Sequence, residues 1–202
     1  MPRDLVLYDN PGSSNGLKVR ILLAELGMSV NVVTIPIDGP RPESYLGVHP
    51  FGTVPCLVDG DLAIIESNTI LRYLAQVARR DDLYPSGPPR RARVDMVLDA
   101  LSLSVRADLW GVEEFAVYGL DLTADEMAAR TDRLVTTLTR FERLLAASDD
   151  HLPQMTIADI AVAGRLVHLD ELPLDLSPFP VTMRRLGEVR KRAPYRTATE
   201  VQ

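Results

Sequence analysis

Two short stretches place hydroxyl and amide side chains where a helix is about to start. "PGSSNG" (11–16) separates the strand-like "DLVLY" from "LKVRILLAELG", and "ESN" (66–68) precedes "TILRYLA". The first turn of a helix leaves backbone N–H groups unpaired, and the helix dipole favours negative charge there. Ser13, Ser14 and Asn15 thus stand where a small anionic group can be received, and Ser67 reads as an N-cap. The same residue types also cap helices, which is their commoner duty. Between the two stretches, "PFGTVPCL" (50–57) sets Pro55 inside an apolar run. Proline has no backbone donor and is poorly tolerated within a paired strand, so Val54-Pro55 needs a cause other than sheet pairing.

Other chemistries find less support. The single cysteine, Cys56, follows the proline in an apolar run and lacks a CxxC partner, which reads as a buried, inert thiol. His49, His151 and His168 are scattered without zinc-ligand spacing, so no metal site is expected, and His49 reads as a turn residue. "GSSNGLK" is one residue short of a GxxxxGK[ST] phosphate loop and lacks the hydroxyl after the lysine. There is no GxSxG, and the adjacent Glu113 and Glu114 point to different helix faces.

A chain of 202 residues, 46% of them hydrophobic, can bury a sizeable core in one domain or in two small ones. The net charge is −6, and dividing the chain after Tyr84 leaves 7 basic against 10 acidic residues before it and 15 against 18 after it. Neither part is basic, so neither nucleic acid nor an anionic membrane is an expected partner. No apolar run approaches the roughly 20 residues of a membrane span, and "MPRDLVLYDN" lacks a signal-peptide core, which points to a cytoplasmic protein.

The elements that must position these residues follow from periodicity. "DLVLY" reads as a strand, "LKVRILLAELG" as a helix stopped by Gly27, and "SVNVVTIPI" as a second strand, together a βαβ unit. "DGPRPESYLGVHPFG" is a loop with at most one short helix; two apolar runs around Asp59-Gly60 then predict a hairpin, and a helix follows over 67–79. Residues 1–80 thus form a small mixed sheet with helices packed on it, and the Pro- and charge-rich 81–91 form a linker. Residues 92–202 are helical throughout: Val94, Val97, Leu98, Leu101, Val105 and Leu109 recur at helical spacing. Capping boxes are expected at Thr123 with Glu126 and at Thr156 with Asp159.

In this order and at these separations, "YDNPGSSNGLKVRILLAELG", "HPFGTVPCLVDGDLAIIESNTILRYLA", "MTIADIAVAG" and "RKRAPYRTA" resemble a cytosolic glutathione transferase of bacterial serine type. The resemblance spans nearly the whole chain, with residues 92–150 matching only as helical pattern. It implies a thioredoxin-like α/β N-terminal domain and an all-α C-terminal domain. It also implies a cis Pro55, with Val54 offering its backbone N–H and C=O to the cysteinyl part of glutathione, the co-substrate, and no further cofactor. By the same resemblance Ser13 donates to the glutathione sulfur, Asn15 is a second candidate donor, and Tyr8, near the end of the first strand, is a rival. Ser67, as an N-cap, would receive the γ-glutamyl carboxylate, and Glu66 would meet the γ-glutamyl ammonium. Trp110, Phe115 and Tyr118 are candidates for an electrophile pocket, with core packing the competing role. Thr53 departs from the family pattern, which often has Gln or a cation there.

The function this implies is activation of the glutathione thiol for addition to a small hydrophobic electrophile, in a two-fold homodimer. Glutathione-dependent isomerisation is an alternative, because "SSNGLKVRI" is similar to a stretch of maleylacetoacetate isomerase, although Asn15 replaces its cysteine. Disulfide or peroxide reduction is another. A non-catalytic binding module on the same fold is the alternative outside enzymology.

Overall fold

The computed structural model describes residues 4–119 and 121–200. β1 (Leu5–Asp9) buries Leu5, Leu7 and Asp9 on one face and leaves Val6 and Tyr8 half-buried on the other, the alternation of a strand with two unequal neighbours. α1 (Ser14–Leu26) ends at Gly27, whose left-handed φ of 62° suits a residue without Cβ. β2 (Asn31–Thr34) pairs in parallel with β1, Leu7 opposite Val32. After the short α2 (Glu43–Leu46), β3 (Cys56–Asp59) and β4 (Leu62–Ile64) make the expected hairpin, and β3 runs antiparallel to β1. The sheet order is β2-β1-β3-β4, and α3 (Ser67–Val77) follows it. This is the thioredoxin-like arrangement that the resemblance implies.

The remaining elements are α4 (Pro88–Ala100), α5 (Arg106–Ala116), α6 (Ala124–Asp149), α7 (Ile157–Arg165), α8 (Pro180–Arg190) and α9 (Ala193–Glu200). Both expected capping boxes form, at Thr123 with Glu126 and at Thr156 with Asp159. Three boundaries differ from the sequence reading. α4 starts at Pro88 inside the expected linker, since proline at the first helical positions forfeits only donors that have no helical partner. α3 stops at Val77 instead of Arg79, which takes a φ of 55°. The apolar run from Val94 to Leu109 is interrupted by a π-helical stretch, Leu101–Val105, joining α4 to α5.

One apolar core crosses the linker. It runs from Leu7 and Leu57 through Val19 and Leu22 of α1 and Leu71 of α3 to Ile160 of α7, Leu98, Leu109 and Leu134. α7 lies directly on α1 because residue 164 is glycine: a Cβ there would sit 2.7 Å from Lys18 Cγ and 2.8 Å from the Lys18 backbone nitrogen. On the far side of the sheet Ile35, Tyr45 and Cys56 form a second cluster, with Tyr8 and Val54 against it. Among the described residues no helix is long and apolar enough to cross a membrane.

Candidate functional site

The turn between β1 and α1 is fastened from both ends. Arg20 pairs with the buried Asp9 carboxylate and donates to the carbonyls of Asn10 (3.3 Å), Pro11 (3.0 Å) and Ala198 (3.4 Å). Asn10 donates to the Ile35 carbonyl at 2.8 Å and accepts from Gly12 N–H at 3.0 Å. Gly16 lets α1 pass over Asp9, because a Cβ there would run into the carboxylate. Burial outweighs Arg20 and pushes the Asp9 carboxyl above the usual range. The result is a rigid turn that presents Ser13, Ser14 and Asn15.

Ser13 is the N-cap of α1, its Oγ accepting from Gly16 N–H at 3.1 Å. That bond uses a lone pair and leaves the hydroxyl hydrogen to donate, so capping and thiol contact are compatible. Asn15 Oδ1 accepts from the Ser67 hydroxyl at 3.5 Å, which leaves the Asn15 amide N–H groups as its donors. The Val54-Pro55 bond is cis, as the resemblance implies. Val54 stands outside the sheet register, and no backbone hydrogen bond to its N–H or C=O is found among the described residues. Beside it, Tyr45 donates to the Thr53 carbonyl, and the Thr53 hydroxyl lies 3.0 Å from His49 Nε2. His49 is a buried member of this packing, its imidazole pKa lowered by burial.

Ser67 is not the N-cap of α3. Glu66 holds that position with φ 67° and ψ 114° and makes no side-chain cap, so Ser67 is the first helical residue. A left-handed φ on a non-glycine residue is uncommon and concentrates at functional sites. It turns the Ser67 hydroxyl back toward α1, where it accepts from Lys18 Nζ at 3.3 Å.

The opposite wall comes from α5 and from the loop after β2. A cleft of about 620 Å³ is lined by Gly12, Ser13, Ser14, Asn15, Thr53 and Val54 on one side and by Arg106, Ala107, Trp110, Tyr118 and Arg165 on the other, with Ile37, Asp38 and Arg41 at its edge. The Trp110 and Tyr118 rings lie 5.2 Å apart. Arg165 and Glu113, both almost wholly buried, form a two-pronged pair at 3.0 and 2.9 Å, and Arg165 also reaches Ser14 Oγ at 3.4 Å. Arg41 is clamped by the carbonyls of Gly52 (2.8 Å), Pro36 (2.6 Å) and Gly39 (3.3 Å).

Of the residues singled out in the sequence, Ser13, Ser14, Asn15, Thr53, Val54, Trp110 and Tyr118 therefore meet at one cleft. Pro55 lies behind Val54, and Ser67 behind Asn15. Exposed Glu66 adjoins Ser67. Tyr8 does not line the cleft; its ring stacks on Tyr45 at 5.2 Å in the far-side cluster. Phe115 is also absent from the lining, leaving Trp110 and Tyr118 as the aromatic wall. Cys56 is fully buried and burial raises its thiol pKa, as expected of an inert cysteine. Missed in the sequence were Lys18, Arg41, Arg106 and Arg165. Lys18 and Arg165 had a signal, since each is a cation inside an apolar helical run; Arg41 and Arg106 had none.

Residues 3–76 match the family model described as "Glutathione S-transferase, N-terminal domain". Glutathione S-transferase F9 of Arabidopsis thaliana is 38% identical over 182 residues, covering 85% of this chain and 78% of that protein. The chain belongs to the glutathione S-transferase family. A second relative, the stringent starvation protein A homolog of Coxiella burnetii, is 33% identical over 176 residues, covering 86% of this chain and 80% of that protein. Among solved structures, the theta class glutathione S-transferase from Xanthomonas axonopodis pv. citri with glutathione bound is 27% identical, with a TM-score of 0.83 and coverage of 100% of this chain and 99% of that one.

Proposed function

We propose that the protein is a glutathione transferase: it binds glutathione along Val54, Ser67 and the start of α3, stabilises the thiolate with Ser13 and Asn15, and adds the sulfur to a small hydrophobic electrophile held against Trp110 and Tyr118. Glutathione is then a co-substrate, and no further cofactor takes part. The observation that carries this reading is one cleft lined both by Ser13, Asn15 and Val54, whose donors have no other partner among the described residues, and by the Trp110 and Tyr118 rings. The energetics are sufficient. Lowering a thiol pKa by about two units requires about 2.7 kcal/mol, and a hydrogen bond to a charged group contributes about 1.5–3 kcal/mol. The thiol proton leaves to solvent, the sulfur lone pair forms the new C–S bond, and any displaced group departs with the electrons of its own bond.

Steady-state conjugation of glutathione to an activated chloronitrobenzene, together with ultraviolet titration of the bound thiol, tests the reading. Conjugate formation with a bound thiol pKa below about 8.5, the free value, supports it. Glutathione binding without conjugation of any electrophile overturns it and leaves the binding module, a second reading favoured by the 33% identical relative, which is not named as a transferase. Thiol oxidation without conjugate would instead indicate a reductase. The proposed assembly is a cytoplasmic two-fold homodimer, which light scattering at working concentration would show as twice the 22.3 kDa chain mass.

A further inference from the structure

Lys18 is the most deeply buried lysine or arginine among the described residues. It is 1% exposed, and among the described residues its Nζ reaches no carboxylate: its hydrogen-bond partners are Ser67 Oγ and Asn68 Oδ1, each at 3.3 Å. An unpaired charge at such a depth is costly, and a buried lysine responds by shedding its proton. The charged groups around it make this worse. Arg165 of α7 and Arg106 of α5 both disfavour the ammonium; Glu113 of α5 is engaged by Arg165, and Glu66, at the start of α3, is the acid that favours it. Burial first, then the two arginines, brings the lysine pKa down to about 7.

Yet the site is built to retain the amine. Gly164 closes over the Lys18 stem, and Asn68 is fixed by donating to the Leu98 carbonyl at 2.7 Å and to Ser102 Oγ at 3.0 Å, so its Oδ1 is held toward Nζ. Ser67 accepts from Lys18 and passes its own hydrogen to Asn15. The amine therefore lies beneath the start of α3, one hydroxyl away from Asn15 of the cleft lining.

We propose that Lys18 is the buried counter-charge for the substrate carboxylate received at Ser67 and the start of α3, so that the ligand binds together with one proton, held on Lys18 Nζ. This rests on the reading that glutathione occupies the cleft. With the carboxylate in place, the ligand adds its negative charge to that of Glu66, and the ammonium form is favoured. Lys18 acts here through Ser67 and is a positioning residue. Taking about one unit, the low end for a nearby opposite charge, as the rise in the lysine pKa, affinity for a thiol-blocked ligand falls about fivefold between pH 6 and pH 8.

The chain has only two lysines, Lys18 and Lys191, and Lys191 is exposed in the C-terminal domain. Lysine labelled with carbon-13 at Cε thus gives two resonances, and Lys18 can be titrated directly with and without S-methylglutathione, which has no thiol to ionise. The expected result is a Lys18 midpoint near neutrality that moves up by about one unit on saturation, with calorimetry in buffers of different ionisation heat showing proton uptake. In Lys18→Met the fivefold pH dependence disappears. Binding with an unmoved Lys18 midpoint and no proton uptake overturns the inference while leaving the glutathione reading intact. Absence of S-methylglutathione binding at every pH overturns both. The titration of the wild-type protein decides the matter even if Lys18→Met does not fold.

Discussion

The N-terminus of α7 and those of α1 and α3 use similar residue types to opposite ends. At α7, Thr156 accepts from Ala158 N–H at 3.2 Å, and Asp159 Oδ2 takes both the N–H (2.7 Å) and the hydroxyl (3.0 Å) of Thr156. The other Asp159 oxygen receives Arg185 at 2.6 Å, and Arg185 is further held by Asp149 at 2.8 Å. Hydroxyl, carboxylate and guanidinium are satisfied by one another beneath the surface. At α1, the Ser13 hydroxyl hydrogen and the Asn15 amide N–H groups find no partner among the described residues, nor does the Val54 backbone beside them, and under α3 the Lys18 ammonium reaches no carboxylate. A helix start that closes on itself serves folding; one that leaves donors without partners is prepared for something that arrives later.

The comparison can be broken at four places. Asp159→Ala should have the largest effect, because it removes the capping box and leaves Arg185 buried with half of its acids. A loss of about 3–5 kcal/mol in denaturant unfolding is expected, with conjugation per folded molecule unchanged below the transition. If activity fell and stability did not, the closed start would not be a folding device. Second is the pH profile of stability. The folded state prefers neutral Lys18, with its pKa at about 7, and the unfolded chain holds the proton up to about 10.4. The cost is fully present below pH 7 and fades as pH rises toward 10, so this group adds a stability slope of up to about 1.4 kcal/mol per pH unit in that window. Unfolding of Lys18→Met should lack that slope, and equal slopes would contradict the unpaired charge.

Third, Ser13→Ala should slow conjugation about 10- to 100-fold, by analogy with the loss of one hydrogen bond to a charged group, and should raise the bound thiol pKa. It should also cost about 1 kcal/mol in stability as a lost cap. A stability loss with unchanged kinetics would place Ser13 in the same class as Thr156. The smallest effect is expected at the exposed capping box of α6, where Thr123→Ala should cost about 0.5–1 kcal/mol and leave conjugation alone.

What was legible in the sequence was local or pairwise close. Pro55 announced a break in the ladder, Asp59-Gly60 a hairpin, and Thr156 with Asp159 a cap, because each signal lies within a few residues of its effect. The resemblance to a family carried the rest of the fold and brought Ser13, Asn15 and Val54 together. The network under the site was not legible in this way: Lys18, Ser67, Asn68, Leu98 and Ser102 come from four elements, and only packing makes them neighbours. The sequence points to Ser67 and not Glu66 as the cap of α3, because nothing in "ESN" announces a left-handed φ. Tyr8 and Phe115 were aromatic residues near the right elements, and strand alternation and helix phase turned them elsewhere.

The π-helical stretch at Leu101–Val105 sets the phase of everything after it. Leu101, Val105 and Leu109 are all buried, yet positions eight residues apart on a regular α-helix differ by about 80° around the axis. One extra residue in the wider turn brings that difference to about 20°, so the buried stripe stays in line and the neighbouring Arg106 and Trp110 stay on the cleft. The direction in which the aromatic wall faces is therefore encoded in the number of residues in one turn of helix, not in their side chains.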